Sequence, residues 1–177
     1  RARYLTLVDF SCEVIELADS LGLPWMLENP ADVAEAGFAR WAAKAHHGSF
    51  WIHRRVLRTR ARIPVEIAVF AQCHFGAKSR KWTGLSYPRA LEPIFGGWKR
   101  FCCVHGFFGH EEVASGHDAN GASLSSAAAA YPAAMNVALA SGIIAAIRAT
   151  SAGRTWGDAT AEPGACRILS PAMAAAC

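Results

Sequence analysis

Apolar residues recur at helical spacing in several stretches of the chain, and each stretch predicts an amphipathic helix. The first helix covers 4–21 and ends at Gly22, since glycine readily adopts the left-handed conformation of a helix cap. Further helices are predicted over 33–45, 50–60 and 133–149. In the last of these the apolar stripe follows a strict i, i+4 spacing: Met135, Leu139, Ile143 and Ile147.

Three short apolar runs between these helices predict strands. The run 23–27 is apolar on both faces and stops at a Glu-Asn-Pro tripeptide, which is typical of a buried parallel strand. The second run covers 63–70, and the third, 82–87, is predicted to pair antiparallel with it across a turn at 76–81. We expect 23–27 and 65–70 to be neighbouring buried strands. This order of elements fits an α/β fold, of which the chain resembles the C-terminal part.

Length and composition restrict the class of protein. The chain has 177 residues, enough for one domain with a hydrophobic core. Six Trp and nine Phe argue against intrinsic disorder, because disordered chains lack large apolar side chains. The most apolar run, 135–147, is shorter than a bilayer requires and contains Asn136, so we expect no membrane-spanning helix. Residues 1–149 are predicted to form the domain and residues 150–177, rich in small side chains, a weakly ordered tail.

The six cysteines follow no regular spacing. Because a chain with this many aromatic residues does not depend on disulfides, we expect reduced thiols. No secretory leader opens the sequence, which indicates an intracellular protein, cytoplasmic or nuclear. The chain begins at Arg1, inside an amphipathic pattern, and we therefore interpret it as a fragment of a longer product.

Charge is distributed unevenly along the chain. The net charge is +4, but residues 1–39 carry −5, residues 40–100 carry +11 and residues 101–177 carry −2. Two basic clusters lie on either side of one predicted strand, and such a segment attracts a polyanion such as DNA or another nucleic acid. A solvated helix face followed by a polar loop is the alternative. The residues predicted to contact nucleic acid are Arg54, Arg55, Arg58, Lys78, Arg80 and Lys81.

The densest group of potential metal ligands lies at 102–117. Zinc prefers four thiolate or imidazole ligands in a tetrahedron. The candidate ligands are Cys103, His105 and His110, with either Cys73 or Cys102 as the fourth. Their spacing matches no zinc-finger or zinc-ribbon pattern, and histidines packed among loop phenylalanines are the alternative. We expect the set that includes Cys73 to be separated in the fold rather than gathered at one point.

Two polar segments lie at positions where α/β proteins bind ligands. Glu28-Asn29-Pro30 directly follows a predicted buried strand, and ligands bind beyond the carboxyl ends of strands in open sheets. Tyr131-Pro132 opens the last predicted helix, whose first N–H groups are available to a polar or anionic ligand. A strand-end turn and a capped helix with nothing bound are the alternatives.

Three segments resemble, in the same order, parts of the cytosine-5 DNA methyltransferases of phages and mobile elements. The segment 25–30 (Trp-Met-Leu-Glu-Asn-Pro) resembles their strand with its Glu-Asn motif, which these relatives often continue with Pro. The stretch 72–76 (Gln-Cys-x2-Gly), followed by Lys-x-Thr at 81–83, resembles the next strand pair. The segment 130–136 (Ala-Tyr-Pro-x2-Met-Asn) is similar to the helix start that closes their cofactor pocket. The resemblance covers roughly residues 4–149.

The resemblance implies a partial Rossmann-like methyltransferase sheet with flanking helices, S-adenosylmethionine as cofactor and DNA as substrate. Glu28 would take the family's acid role at the N3 edge of a cytosine that has left the duplex. Asn29 would brace the loop, and Tyr131 and Asn136 would line the cofactor pocket. We expect Glu28 to line a cleft that it shares with residues 131–135.

The family's Gly-rich cofactor loop and Pro-Cys nucleophile lie upstream of the Glu-Asn motif. Both would precede Arg1 here, and no cysteine of this chain follows a proline. The resemblance therefore implies a fragment of a methyltransferase domain that is inactive alone, and it leaves open whether the chain is an enzyme. The alternative is a zinc-stabilised nucleic-acid-binding module of a mobile element.

Overall fold

The structure is a computed structural model. It describes residues 2–31, 50–79, 81–103, 105, 109–111, 119–121 and 130–153. The predicted helix at 33–45 lies outside the described residues, as does nearly all of the tail predicted at 150–177.

The centre of the fold is a three-stranded antiparallel sheet. Its strands are β1 (Leu27–Pro30), β2 (Val65–Ala71) and β3 (Trp82–Pro88), in the order β1-β3-β2. A short 3-10 helix, Gln72–Phe75, leads from β2 into the turn before β3, and Gly76 continues the turn in the left-handed region at φ 87°. The predicted antiparallel pairing of the second and third strands is confirmed, with Ala68 opposite Leu85.

Two helices cover one face of the sheet: α1 (Ala2–Ser20) and α2 (Arg54–Arg62), with a 3-10 turn, Phe50–Ile52, before α2. The buried residues of this layer are Val8, Cys12, Ile15, Trp25, Phe50, Trp51, Val56 and Ile63. The indole of Trp51 lies directly on Gly84 of β3, where a Cβ atom would come within 2.8 Å of the ring. Its Nε1 donates a hydrogen bond of 2.8 Å to the Pro30 carbonyl, so Trp51 fixes β1 against β3.

The other face packs against α3 (Glu92–Phe95), the 3-10 segment Gly96–Arg100 and α4 (Ala133–Ser151). The core here is aromatic and aliphatic: Ala68, Phe70, Phe75, Leu85, Tyr87, Leu91, Phe95, Trp98, Met135, Leu139 and Ala146. Gly142 lets α4 approach the Phe95 ring, since a Cβ atom would lie 2.7 Å from it. Helices therefore cover both faces of the sheet, as a sheet that is apolar on both sides requires.

The mixed α/β class is confirmed, but the predicted strand arrangement is wrong. The run 23–26 is an irregular connection, and β1 begins at Leu27 and contains the Glu-Asn-Pro tripeptide, whereas the predicted strand ended before it. β1 pairs antiparallel with β3, which separates it from β2. The run is apolar because Trp25 packs against α1 and the end of α2, and not because it crosses the sheet.

The helix over 133–149 is confirmed as α4, with a correction to its buried face. Met135 and Leu139 are buried, but Ile147 is 48% exposed. Four residues turn an α-helix by about 400°, so a strict i, i+4 stripe drifts by about 40° at each step and leaves the core. Small side chains, Ala146 and Ala149, complete the inner face.

In α1 the inward residues are Val8, Cys12 and Ile15, whereas Leu21 is 62% exposed. Its outer face carries a second, exposed apolar stripe with spacings of three and four residues, which Leu21 continues just beyond the helix: Leu7, Phe10, Val14 and Leu17. The helix is thus apolar on two sides, which the sequence analysis did not separate.

The expectation of no membrane-spanning helix stays a prediction, but its reason, an apolar run too short for a bilayer, is wrong. α4 is long and apolar enough to cross a membrane by length and composition. Core helices of soluble domains meet the same criterion, and the buried side of α4 packs against the aromatic layer described above.

Candidate metal centre

Four potential metal ligands meet at the end of β2. One ligand atom each from Cys73, Cys103, His105 and His110 lies within 4.8 Å of all the others. The Cys103 Sγ is 3.4 Å from the His110 Nε2 and 3.9 Å from the His105 Nδ1. Two sulfur and two imidazole nitrogen atoms therefore surround one small volume.

The geometry matches the size of a zinc site. Zinc binds sulfur at about 2.3 Å and nitrogen at about 2.0 to 2.1 Å, so the ligand atoms of a tetrahedron lie about 3.3 to 3.8 Å apart. Atoms that are all within 4.8 Å of one another share a point about 3 Å from each. A small inward movement would bring all four to bonding distance.

Backbone pairing explains how Cys73 meets a loop about thirty residues away. Cys73 lies in the 3-10 turn directly after β2. The Ala71 N–H, at the last residue of β2, donates a hydrogen bond of 2.8 Å to the Phe101 carbonyl. This bond places Cys103 beside the turn. The ring of His74 stacks on Phe101, with centroids 4.1 Å apart and planes at 8°, and holds the two segments in register.

The expectation that these four residues would be separated is wrong. Only Cys103, His105 and His110 are near one another in sequence, and the return of the chain to the end of β2 brings in Cys73. Cys102, the other candidate for the fourth ligand, is exposed and lies outside the group. The described cysteines are free thiols, as predicted. His117 lies outside the described residues.

Burial sets the protonation of the inner thiol. Burial, followed by the neighbouring Cys103, raises the pKa of Cys73 to about 12. Without a cation Cys73 is therefore a protonated thiol. A bound cation reverses this preference, because a coordinated thiol is deprotonated.

A second polar contact joins β1 to the start of α4. The Tyr131 hydroxyl donates a short hydrogen bond to the Glu28 Oε2, and burial, followed by this contact, raises the pKa of Tyr131. The Glu28 Oε1 is buried and has no hydrogen-bond partner among the described residues. The Lys81 ammonium lies 5.1 Å from the centre of the Tyr131 ring. Glu28 is thus hydrogen-bonded to the first residue of the 131–135 segment, and the cleft that the two were expected to share stays a prediction.

The other two residues assigned by resemblance lie elsewhere. Asn29 is opposite Gly84 in β1, and because side chains alternate along a strand it lies on the other sheet face from Glu28. Asn136 is exposed on α4.

The basic residues of α2 fall into two groups. Arg55 binds Glu16 of α1 through its two terminal guanidinium nitrogens, at 2.6 and 2.9 Å, and Thr59 donates to the same carboxylate. These contacts hold the pKa of Glu16 at about 2. Arg55 therefore joins α1 to α2. Arg54 and Arg58 are exposed, and Arg62, which the sequence analysis did not select, continues their i, i+4 row.

The loop lysines are engaged within the protein. Lys78 lies 3.5 Å from the carboxylate of Glu111, next to the ligand His110, and Lys81 lies over Tyr131 as described. Arg80 lies outside the described residues.

Comparisons of the chain with family models, with curated proteins and with solved structures find no match.

Proposed function

We propose that this chain is a zinc-stabilised nucleic-acid-binding module. The observation that carries the proposal is the gathering of two cysteine and two histidine ligand atoms within 4.8 Å of one another. A Cys2His2 set is typical of structural zinc, whereas hard cations such as magnesium and calcium prefer oxygen ligands.

The position of the four ligands suggests what the metal does. Cys73 belongs to the turn after β2, and the other three ligands belong to the loop that follows Phe101. Zinc would therefore fasten this loop to the sheet. The His74 ring stacked on Phe101 already holds the two segments side by side, and Cys73 is the buried member of the four ligands.

The nucleic-acid surface that the structure favours is the outer row of α2. Arg54, Arg58 and Arg62 follow one another at i, i+4 spacing on the exposed side of the helix. Arg54 and Arg58 can contact phosphates without loss of the Arg55–Glu16 ion pair, whereas Arg62 also lies 3.9 Å from the Glu16 carboxylate. We expect weak binding without sequence preference, because contacts to phosphates carry no sequence information.

A labelled DNA duplex titrated with zinc-loaded protein at about 50 and 200 mM salt tests this function. We expect Arg58→Ala to weaken binding and to reduce the salt slope by about one, since one phosphate contact is lost. The matched control is Arg148→Ala, which removes the same charge from α4 on the opposite side of the sheet. Absence of binding at low salt, or equal effects of the two variants, contradicts the nucleic-acid part of the proposal.

The contact between Glu28 and Tyr131 favours a second candidate, a fragment of an S-adenosylmethionine-dependent, cytosine-5-like DNA methyltransferase. The carboxylate assigned to catalysis and the segment assigned to the cofactor pocket are hydrogen-bonded to each other. This candidate also requires a Rossmann-like sheet, beyond the three described strands. Its test is a protein in which the upstream half is restored. Glu28→Gln should there reduce methyl transfer far more than DNA binding, and equal loss of both would remove Glu28 from the catalytic role.

A further inference from the structure

Two of the four ligands at the candidate metal centre are thiols that lie close together. The Sγ atoms of Cys73 and Cys103 are within 4.8 Å of each other. A disulfide requires two sulfur atoms at about 2.05 Å, so a modest movement separates the present arrangement from a bond. The same two atoms can therefore hold a cation when reduced or join to each other when oxidised.

We propose that Cys73 and Cys103 form a reversible disulfide under peroxide, and that this bond expels the zinc ion. The inference rests on the proposed zinc site and adds a means of regulating it. Oxidation removes two of the four ligands at once, and the two remaining imidazoles alone make a weak site. Metal content would then report the redox state of the surroundings.

The exposure of the two cysteines determines which of them reacts with peroxide first. Cys103 is half-buried, whereas Cys73 is 8% exposed, so peroxide reaches Cys103 first. The Cys103 thiolate attacks one peroxide oxygen, becomes a sulfenic acid and releases hydroxide. The Cys73 thiolate then attacks that sulfur and displaces a second hydroxide. Two thiolates, one peroxide and two protons from solvent give one disulfide and two water molecules, and the zinc ion leaves unchanged in charge.

Cys102 is not expected to form a disulfide with Cys103, although the two residues are adjacent in sequence. Neighbouring Cα atoms across a trans peptide are about 3.8 Å apart, less than the 4.4 to 6.8 Å usual for a disulfide. Cys102 is also exposed and outside the ligand group, so it serves as the matched control for its neighbour.

The test begins with zinc-loaded protein whose metal content is measured before oxidation. Hydrogen peroxide is added at a small excess, released zinc is followed with a chromogenic chelator, and the protein is digested with trypsin without reduction. Cys73 belongs to the peptide 63–78, and Cys103 shares the peptide 101–148 with Cys102. We expect release of about one zinc per chain, a mass loss of about 2 Da and a linkage between these two peptides.

The Cys102→Ser variant identifies which thiol of the second peptide is joined. We expect it to release zinc and form the linkage as the unaltered chain does, and a dithiol reductant with added zinc should restore the metal. If Cys102→Ser no longer forms the linkage, the disulfide involves Cys102 and the inference is overturned. It is also overturned if the protein keeps its zinc while sulfinic acid accumulates. Neither result contradicts the proposal of a zinc site. Protein that holds no zinc before oxidation contradicts the proposed function, and the regulation with it.

Discussion

The ligand cluster at the end of β2 and the Glu28–Tyr131 contact both join the sheet to a distant part of the chain, but their chemistry differs. The cluster brings four potential ligand atoms around one point, and a cation would satisfy all of them together. The Glu28–Tyr131 contact is a donor and an acceptor that already satisfy each other, although the Glu28 Oε1 remains without a partner.

This difference indicates that a ligand is expected at the cluster and not at the Glu28–Tyr131 contact. A hydrogen bond between two side chains is a complete structural interaction, and it stabilises a fold whether or not a substrate is ever bound. Hydrogen bonds between the two thiols and the two imidazoles contribute little, because sulfur is a weak hydrogen-bond partner. We therefore base the function on the cluster.

The largest expected effect is the loss of thermal stability when the ligand cluster loses its zinc. Removal of zinc by a chelator should lower the Tm of the protein by about 8 °C, since a ligand at about 100 times its Kd contributes about 2.7 kcal/mol. Differential scanning calorimetry of Cys103→Ser should show a Tm that the chelator does not change. A chelator effect that survives in Cys103→Ser would place the metal elsewhere.

A smaller loss of stability is expected when the Glu28–Tyr131 hydrogen bond is removed. Tyr131→Phe removes the only described donor to Glu28 and should reduce the free energy of unfolding by about 2 kcal/mol, because a half-buried carboxylate oxygen loses its partner. Urea unfolding measures the change, and zinc content should remain that of the unaltered chain. If Tyr131→Phe also released zinc, the two regions would not be independent.

The smallest effect concerns the ion pair between α1 and α2, which needs neither metal nor ligand. The pKa of Glu16 falls from 4.5 to about 2 on folding, so its contribution is complete above about pH 4.5 and disappears as the pH falls toward 2. Glu16→Gln should cost about 1 kcal/mol at pH 7, a figure reduced for solvent screening. The two proteins should converge in stability near pH 2, and a constant difference at every pH would assign the loss to packing.

Local features of the fold could be predicted from the sequence, and non-local ones could not. The helix at Ala133–Ser151 and the β2–β3 pairing depend on nearby residues, and both were predicted within two residues. The strand order depends on which segment pairs with β3, and a short apolar run such as 23–27 has the same composition whether it is a strand or a connection.

The candidate sites divide in the same way. The residue types of the candidate metal site were identified, but its assembly depends on the Ala71–Phe101 hydrogen bond, which no sequence pattern indicates. Likewise Arg55 belongs to a basic run in the sequence, and its partner, Glu16, lies 39 residues away. The proximity of Glu28 to Tyr131 was anticipated only through the family resemblance.

Zinc stoichiometry tests the central claim most directly. Protein purified without chelator, exchanged into metal-free buffer and analysed by inductively coupled plasma mass spectrometry should contain about one zinc per chain. The Cys102→Ser control should retain that zinc, whereas Cys103→Ser should lose it. A chain without zinc, even after incubation with the metal, or equal zinc in Cys103→Ser and the unaltered protein, would contradict the account.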